Sequence, residues 1–534
     1  VVREAWWLGG GLFVAALLLR AVNLLRLPGI LNGTEASIGL DVLSVVRGGL
    51  RSPFAVGWLQ NPTLPYFALA LPVRLLGPSV LSIRLLSPLV GALTVLLTFW
   101  LGRRLWGTPV GVVAGVLLAG FHVHVHYSRL GLTNVWDPLL ALLVVGGFCV
   151  AWREQGAAAR RTWLGVGTAV GLSAYFYSSA HLLPLLLIGL LGVLLLAHRR
   201  ALWARLPHLL AAGALALLVA LPQLLFYRAN PVLFMARANV LGILDGQSGW
   251  LAQEAARQGV SQAAVWWQQV WTAVLAFGGA ADLSPNYRPQ VGMVSFGTAV
   301  LLALGVLLAL LRWRRLPEAA LLLWVAVPVI FGGALLLDPP QSHRLLLAMP
   351  AVALLAALGL VGAAAAAADG AAAADGAADK RMVGAWWEPA WVKVAVGAAL
   401  LLAVWDLGFY FGRFPAVNPF GDHNTEVAYE LALYLNELGE GWSGYFYGPP
   451  DMYVSFPTIP FLVTTMRADE TLFDVPPEPE GNLPPAITPN RVYLFLPQRQ
   501  AELLALQAEL PGGTVRQVVG ADAGLLFFAY EVRP

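Results

Sequence analysis

Apolar runs of about 20 residues recur along most of the chain, and no other feature constrains its fold as strongly. The chain has 534 residues, of which 58% are hydrophobic and only 12% are charged, and its mean hydropathy is +0.70. Soluble domains carry about a quarter charged residues, so most of this chain belongs in lipid. Because a helix needs about 20 apolar residues to cross the hydrocarbon, the runs predict an all-α polytopic membrane bundle.

The apolar runs and the basic clusters between them together predict a topology. About eleven runs are expected to span the membrane, and the first is expected to be retained rather than cleaved as a signal peptide. The runs are 6–25, 86–102, 109–127, 138–151, 162–178, 180–197, 206–227, 291–311, 319–337, 345–366 and 387–411. Five basic clusters lie between them, at Arg103/Arg104, Arg153/Arg160/Arg161, Arg199/Arg200/Arg205, Arg312/Arg314/Arg315 and Lys380/Arg381.

The short apolar segment 64–76 decides the orientation. If this segment does not cross, all five basic clusters fall on one side, which the positive-inside rule makes cytoplasmic. The segment is therefore predicted to lie on the outer face or to dip into it. The chain is then a multi-pass protein of the cytoplasmic (inner) membrane, with its N-terminus inside and its C-terminus outside.

Composition divides the chain into a membrane module over 1–411 and a small extracytoplasmic α/β domain over 412–534. The module contains a first outer loop with juxtamembrane helices (26–84), a long outer loop (228–290) and an Ala-rich cytoplasmic linker (363–386). A Trp-rich helix at 263–271 is expected either to lie in the membrane interface or to pack on the bundle. The outer domain is predicted to hold a helix over 422–438 and strands at 444–447, 492–495, 515–519 and 525–532.

Other features limit the possible functions. The single cysteine, Cys149, excludes a disulfide framework and a cysteine metal site within one chain. A net charge of +3 gives no sign of a nucleic-acid partner. His122 and His126 share a helical face, as two zinc ligands would, but no third ligand is apparent. No metal or other cofactor is therefore expected.

Ionisable side chains collect on the predicted outer side of the bundle. Such groups are costly near a bilayer and usually face a bundle interior or a water-filled cavity. They predict a polar cavity that opens outward, lined from among Glu35, Asp41, Arg84, His122, His124, His126, Arg129, Asp137, His181, Asp282, Arg288, Asp338, His343 and Arg344.

The order of several short motifs carries a family resemblance. A carboxylate loop (31–41) follows the first span, and a Pro-containing apolar segment leads into Arg84-Leu85-Leu86-Ser87-Pro88-Leu89-Val90-Gly91. Tyr127-Ser128-Arg129-Leu130-Gly131-Leu132-Thr133-Asn134 with Asp137, then Ala174-Tyr175-Phe176-Tyr177, and His343-Arg344 ahead of Met349-Pro350 come next. From end to end the chain resembles the GT-C membrane glycosyltransferases, in the branch of the protein O-mannosyltransferases and aminoarabinose transferases.

This resemblance implies an enzyme that moves a sugar from a polyprenyl-phosphate carrier to a protein, lipid or glycan acceptor in the cell envelope. Such enzymes are typically inverting and need no nucleotide sugar. The chemistry requires a positioned carboxylate or histidine for the acceptor hydroxyl and a cation for the leaving phosphate. A lipid-phosphate donor also enters sideways from the membrane, which places the site at the interface.

The resemblance assigns the base role to an acid in the first outer loop, where the family usually has Asp-Glu. This chain has Thr34-Glu35 there, and threonine is no base at ordinary pH. Glu35 is therefore one candidate base, although Asn32-x-x-Glu35 also fits a helix capping box. Asp137 is the second candidate, although Asp137-Pro138 also fits a helix N-cap followed by proline.

The other expected site residues fall into two groups. Arg344, His343, Arg84 and Arg129 are predicted to bind the donor phosphate, although Arg84 would also suit snorkelling to the interface. The predicted contacts with acceptor or sugar are Asp41, Tyr66, Tyr175, Tyr177 and His126, although the aromatic residues also suit a membrane interface.

Two other classes of function remain open from the sequence. A catalytically inactive scaffold, or a subunit that binds a complex partner through 412–534, would explain Thr34. A transporter is the third reading, but the sequence shows no inverted halves with paired broken helices.

Overall fold

A computed structural model describes residues 2–244, 249–374, 386–417, 422–467, 470–477, 488–521 and 523–534. Most of these residues are helical, and one sheet lies in the C-terminal part. The first thirteen helices are α1 Val2–Ala21, α2 Gly33–Val46, α3 Leu64–Leu76, α4 Val80–Arg84, α5 Leu86–Trp106, α6 Thr108–Gly120, α7 His122–Tyr127, α8 Trp136–Ala141, α9 Gly147–Arg153, α10 Gly156–Ser173, α11 Leu182–Ala197, α12 Arg199–Ala204 and α13 Leu206–Ala229.

Twelve further α-helices and five strands lie in the rest of the described part of the chain. The helices are α14 Pro231–Leu241, α15 Trp250–Gln258, α16 Gln262–Leu275, α17 Phe296–Leu311, α18 Leu316–Pro328, α19 Ser342–Leu345, α20 Met349–Ala374, α21 Ala390–Gly408, α22 Phe414–Val417, α23 His423–Leu438, α24 Thr458–Leu462 and α25 Gln500–Glu509. The strands are β1 Trp442–Tyr447, β2 Leu472–Asp474, β3 Asn490–Phe495, β4 Thr514–Val519 and β5 Leu525–Val532.

The multi-pass membrane architecture is confirmed. Among the described residues, eight helices are long and apolar enough to cross a membrane: Glu4–Ala21, Val80–Trp106, Thr133–Arg153, Ser178–Ala197, Arg199–Ala229, Leu316–Ala334, Ser342–Asp369 and Ala390–Ala416. Helices α6 and α17 are apolar but only 13 and 16 residues long, and α10 carries Arg160 and Arg161 near its start. The count of eleven crossings therefore stays a prediction.

Two predicted segments differ in detail from the structure. The run 109–127 is not one helix, because Phe121 leaves the helical conformation (φ −52°, ψ 111°) and separates α6 from α7. The Ala-rich segment 363–386 continues α20 as far as Ala374, and residues 375–385 lie outside the described part.

The chain forms two compact units. The first unit comprises Val1–Leu24, Ser52–Ala68 and Arg84–Asn418, and the second comprises Leu25–Arg51, Leu69–Ile83 and Pro419–Pro534. The second unit thus combines the C-terminal part of the chain with two segments of the predicted first outer loop. Composition, on which the predicted division at residue 412 rests, does not reveal such long-range grouping.

Small residues let helices of the first unit approach closely. In α10 and α13, a Cβ added at Gly167 would lie 2.3 Å from the Ala212 carbonyl oxygen. In α17 and α20, a Cβ added at Gly359 would lie 2.3 Å from the carbonyl oxygen of Leu301. Lipid supplies no hydrophobic drive for helix association, so close packing at such residues is a main source of stability.

The second unit holds the mixed sheet, in the order β2-β1-β3-β5-β4. β1 pairs in parallel with β2 and β3, and β5 pairs antiparallel with β3 and β4. The four predicted strands and the predicted helix α23 are confirmed, and Asp422 caps α23 by accepting a 2.7 Å hydrogen bond from the Thr425 amide. The sequence reading missed β2, which has only three residues, and α25.

Helix α2 belongs to this second unit and packs on α24. A Cβ added at Gly39 would lie 2.5 Å from the ring of Phe461, so the absence of a side chain there allows the contact. The Thr458 hydroxyl donates to the Leu31 carbonyl at 3.4 Å. The segment that carries Glu35 is therefore held by the C-terminal part of the chain.

Replacing Gly167 by alanine is expected to destabilise the first unit, because the new methyl group forces the backbones of α10 and α13 apart. Overpacking of this kind typically costs about 1–3 kcal/mol. The matched control is Gly165→Ala on the same helix, where an added Cβ meets no described atom within 4 Å. Thermal unfolding in detergent measures both, and equal midpoints for the two variants would contradict the packing argument.

Candidate active site

The first unit contains a cavity of about 230 Å³ whose polar wall is formed by Tyr177, Ser178, Ser179, His181 and Arg344. The predicted residues Tyr177 and Arg344 are thus brought together. The remaining wall is apolar and comes mainly from Leu182, Phe234, Leu241, Phe331, Gly332 and Leu336. A cation in a mostly apolar hollow between membrane helices suits an anion that carries an apolar tail.

The backbone around this cavity explains its shape. Residues Val329–Ala334 continue α18 as a π-helical segment, whose wider turn contributes Phe331 and Gly332 to the wall. A Cβ added at Gly332 would lie 3.0 Å from the Arg344 carbonyl oxygen, so glycine lets the chain at Arg344 come close. Antiparallel bridging between Gly242 and Leu336 joins the end of α14 to the same region.

Asp137 lies directly behind the cavity wall. Its side chain is fully buried, and its Oδ2 accepts a hydrogen bond from the hydroxyl of Ser179, which lines the cavity. Its Oδ1 has no hydrogen-bond partner among the described residues. The N-cap alternative is wrong, because α8 begins at Trp136 and its cap residue is Val135. A buried carboxylate therefore lies one hydroxyl away from the cavity.

Arg344 and His343 sit together on the single turn of α19, just before α20. The Arg344 guanidinium donates to the Leu337 carbonyl at 2.7 Å, and the side chain is 7% exposed. His343 instead directs Nδ1 to the hydroxyl of Ser284, at 2.9 Å. The His343 carbonyl accepts a 3.2 Å hydrogen bond from the side chain of Asn134. Of these two adjacent residues, Arg344 lines the cavity and His343 belongs to a buried hydrogen-bond network.

Asp282 is the hub of that buried network. Its Oδ1 accepts hydrogen bonds from the backbone amides of Ser284 and Ser342, both at 2.9 Å, and its Oδ2 accepts from the Ser342 hydroxyl. Burial raises the pKa of the Asp282 carboxyl, and the bonds from Ser342 and Ser284 offset part of that rise. The carboxylate ties the loop at 282–284 to the start of α19.

Arg129 and Arg84 contact the segment at the end of α1. The Arg129 guanidinium donates to the carbonyls of Leu19, Arg20 and Val22 at 3.0, 2.8 and 2.7 Å. The Arg84 guanidinium donates to the Leu24 carbonyl at 3.3 Å. A cation at a helix C-terminus satisfies open carbonyls and the helix dipole. The contacts of Arg129 are those of a helix cap, and Arg84 holds the turn that follows α1. The predicted phosphate role of both arginines stays a prediction.

Arg20 is a buried cation that sequence reasoning missed. It donates to the carbonyls of Leu118 and Ala119 at 3.3 and 3.4 Å, where α6 ends, and to His124 Nδ1 at 2.8 Å. An arginine in the last turn of an apolar helix looks like an interfacial anchor in the sequence. The break at Phe121 ends α6 and leaves these carbonyls open to the guanidinium.

The other two histidines of α7, His122 and His126, have aromatic and backbone partners. His126 Nε2 lies 2.7 Å from the Asn286 carbonyl and must donate to it, so in the neutral ring Nδ1 accepts from the Tyr410 hydroxyl at 3.3 Å. The ring of His126 stacks on Tyr287 with centroids 4.0 Å apart. His122 Nδ1 lies 2.7 Å from the Tyr287 hydroxyl. Among the described residues, no group of three histidine, cysteine or acidic side chains is arranged to hold a metal ion.

The tyrosines that are predicted to contact sugar or acceptor lie in different places. Tyr177 lines the cavity, whereas the Tyr175 hydroxyl donates to the Val219 carbonyl in α13 at 2.5 Å. Tyr66 is fully buried, and neither Tyr66 nor His126 belongs to the cavity wall. The contacts with sugar or acceptor that the sequence predicts for these residues stay predictions.

Glu35 and Asp41 both lie on α2 in the second unit. The capping box is present, since Asn32 Oδ1 accepts from the Glu35 amide at 2.9 Å and Glu35 Oε2 accepts from the Asn32 amide at 3.4 Å. Glu35 is fully buried, and Asp41 is half-buried. The capping alternative for Glu35 is confirmed. Its role as a base and the acceptor contact of Asp41 stay predictions.

One family and two named relatives are similar to part of this chain in sequence. Residues 60–226 match the family described as dolichyl-phosphate-mannose-protein mannosyltransferase. A relative from Pseudomonas paraeruginosa, named undecaprenyl phosphate-alpha-4-amino-4-deoxy-L-arabinose arabinosyl transferase, is 32% identical over 184 residues. A Pseudomonas fluorescens protein of the same type is 28% identical over 193 residues. The chain spans about a third of the length of these relatives, 32% and 33%, and the matches cover 33% and 35% of the chain.

Solved structures extend the similarity to the whole chain. The crystal structure of ArnT from Cupriavidus metallidurans in the apo state has a TM-score of 0.57 at 16% identity, covering 99% of this chain and 98% of that one. The same protein bound to undecaprenyl phosphate has a TM-score of 0.53 at 16% identity, covering 97% of both chains. AglB from Archaeoglobus fulgidus, an archaeal oligosaccharyltransferase, has a TM-score of 0.52 at 14% identity and covers 99% and 74%. The chain therefore has the fold of the GT-C membrane glycosyltransferases, as its sequence resemblance predicted.

Proposed function

We propose that this protein is an integral membrane glycosyltransferase that moves a sugar from a polyprenyl-phosphate donor to an acceptor outside the cytoplasmic membrane. The observation that carries the proposal is the cavity in which Arg344 and Ser179, with Asp137 behind it, share one wall. Support also comes from relatives named as transferases that use an undecaprenyl-phosphate sugar and from an ArnT structure that holds undecaprenyl phosphate.

Arg344 suits the leaving phosphate. An Arg guanidinium offers planar paired donors that match phosphate oxygens, and burial in an apolar setting strengthens their attraction. When the bond between the anomeric carbon and the phosphate oxygen breaks, that oxygen keeps the electron pair. A cation placed beforehand stabilises this developing charge without having to reorganise.

Asp137 suits the acceptor side of an inverting transfer. The acceptor oxygen attacks the anomeric carbon in line with the departing phosphate, and its proton passes to a carboxylate. The hydroxyl of Ser179 lies between Asp137 and the cavity and gives that proton a path to the carboxylate. Glu35 remains the other candidate base. Arg344 supplies the charge needed for the phosphate, so the proposed mechanism includes no metal or other cofactor.

The proposed membrane arrangement follows the charge pattern. Eleven crossings with the N-terminus inside leave the basic clusters cytoplasmic and put the residues of the cavity wall on the outer side. The C-terminal α/β domain is then extracytoplasmic. The acceptor and any complex partner of that domain are not specified by this pattern.

An inactive GT-C scaffold is the second candidate. Thr34 in place of the usual acid and the involvement of Glu35 in a capping box favour it. Transfer of label from a polyprenyl-phosphate sugar by the purified wild-type protein would decide between the two, since a scaffold transfers none.

Arg344→Gln is expected to lower transfer about a hundredfold or more, because one donor to a developing oxyanion is typically worth that much. Arg344→Lys keeps the charge but loses the paired donors, so we expect an intermediate rate. The measurement is transfer from labelled polyprenyl-phosphate sugar in proteoliposomes, with Arg257→Gln, an exposed arginine on α15, as the control. A rate for Arg344→Gln equal to that of the control would remove Arg344 from the site.

Asp137→Asn is expected to abolish most transfer while leaving donor binding intact, because the amide keeps the bond with Ser179 but accepts no proton. Ser179→Ala tests the path and is expected to give a smaller loss of rate. Donor binding is followed by native mass spectrometry and transfer by label. Full transfer in both Asp137→Asn and Glu35→Gln would exclude a carboxylate base at either position.

Glu35→Gln and Glu35→Ala separate the capping role from the catalytic role. Glutamine also completes a capping box, so Glu35→Gln should unfold like the wild type, whereas Glu35→Ala should lose about 1 kcal/mol of stability. Loss of transfer in the stable Glu35→Gln variant would identify Glu35 as a base. Normal transfer in that variant would restrict Glu35 to the cap.

A further inference from the structure

A chain of buried hydroxyl groups connects Asp282 to His343. The Ser342 hydroxyl donates to Asp282, and the Tyr127 hydroxyl lies 3.1 Å from Ser342 Oγ and 2.6 Å from Ser284 Oγ. Ser284 Oγ in turn lies 2.9 Å from His343 Nδ1. All five side chains are buried. The hydroxyl groups of Ser342, Tyr127 and Ser284 are called the hydroxyl relay below.

Counting protons restricts the direction of the relay. Each hydroxyl has one proton to donate, and an ionised carboxylate only accepts. If Asp282 is ionised, Ser342 donates to it, Tyr127 to Ser342, Ser284 to Tyr127, and His343 Nδ1–H to Ser284. If Asp282 carries a proton and donates it to Ser342, all four hydrogen bonds reverse and His343 Nδ1 must accept. For each protonation state of Asp282, all four hydrogen bonds can form at once in only one direction.

Two backbone amides, which can only donate, bind Oδ1 of Asp282, and donors of this kind favour the charged form of a carboxylate. They oppose burial, which raises the pKa of the carboxyl, and the ionised state is the one expected in the wild type. The relay then runs towards Asp282. The proton of a neutral His343 is on Nδ1, and Nε2 has the lone pair.

We propose that the hydroxyl relay makes the tautomer of His343 follow the protonation of Asp282, so that Asp282 is a positioning residue for the turn that carries His343 and Arg344. A proton taken up at Nε2 would give an imidazolium adjacent in sequence to Arg344, with its charge balanced through the relay by Asp282. The importance of this for phosphate departure rests on the proposed function, whereas the tautomer itself does not.

Asp282→Asn tests the coupling directly. The asparagine Oδ1 keeps both amide bonds, and its Nδ2 donates to Ser342 as a neutral acid would, so the relay reverses. The full-length protein, labelled with 15N-histidine and placed in lipid nanodiscs, is studied by magic-angle-spinning NMR, and H343Q identifies the signals of His343. The wild type is expected to show Nδ1–H and Asp282→Asn to show Nε2–H. A wild type with Nε2–H, or no change in the variant, would overturn the proposal.

Two tyrosine variants show whether the coupling runs through the relay. In a Tyr127→Phe background the link is broken, so adding Asp282→Asn should leave the tautomer unchanged. The matched control is Tyr287→Phe, a buried tyrosine whose ring centroid lies 6.3 Å from that of Tyr127 and whose hydroxyl pairs with His122. The effect of Asp282→Asn should persist in that background. An effect that survives Tyr127→Phe, or is lost in Tyr287→Phe, contradicts a path through Tyr127.

Transfer assays then connect the relay with the reaction. Asp282→Asn is expected to lower kcat about tenfold with little change in KM, as the loss of one buried hydrogen-bond orientation would. If the wild type transfers no sugar, the proposed function fails while the NMR result still stands. If the wild type is active and the tautomer changes without a change in kcat, the positioning role is excluded.

Discussion

A charge buried between membrane helices must find a partner inside the protein, and this requirement organises the first unit. Lipid offers no hydrogen bonds, and an unpaired ion there is costly. The protein meets the requirement largely with the open carbonyls at helix ends. Arg20 of α1 donates to carbonyls where α6 ends, and Arg129 donates to carbonyls where α1 ends. Two helix ends are thus capped by arginines from other parts of the chain.

Arginines that look alike in the sequence therefore have different roles in the structure. Arg129, Arg84 and Arg344 all lie near the ends of apolar runs. The Arg129 guanidinium donates to carbonyls at the end of α1. The Arg344 guanidinium donates to one carbonyl, and Arg344 also lines the cavity. A side chain that must hold a helix end cannot also turn towards a ligand without exposing those carbonyls. This difference is the reason why Arg344 is the arginine that we propose for the anion.

Two kinds of feature can be predicted from the sequence: elements with a repeating apolar pattern, and ionisable residues that are costly to place near lipid. Apolar runs reveal the spans and alternation reveals four strands, because burial of many residues leaves a periodic pattern. Asp137 and Arg344 stand out because few ionisable residues occur near lipid. Ser179 and Ser284 do not stand out, because a serine hydroxyl is cheaper to bury than a charge and often bonds to a nearby backbone carbonyl. The sequence does not predict the break at Phe121 either, because phenylalanine is common inside helices and no proline lies beside it.

The short helix α19 shows why residues outside the cavity wall matter as much as those that form it. Its four residues are too few to hold a conformation by their own hydrogen bonds. Its start is fixed instead by Asp282, which binds both the amide and the hydroxyl of Ser342. Neighbouring side chains on one turn leave the axis about 100° apart, so fixing His343 in the network also fixes the direction of Arg344. The position of the cation at the cavity thus depends on a carboxylate that does not line it.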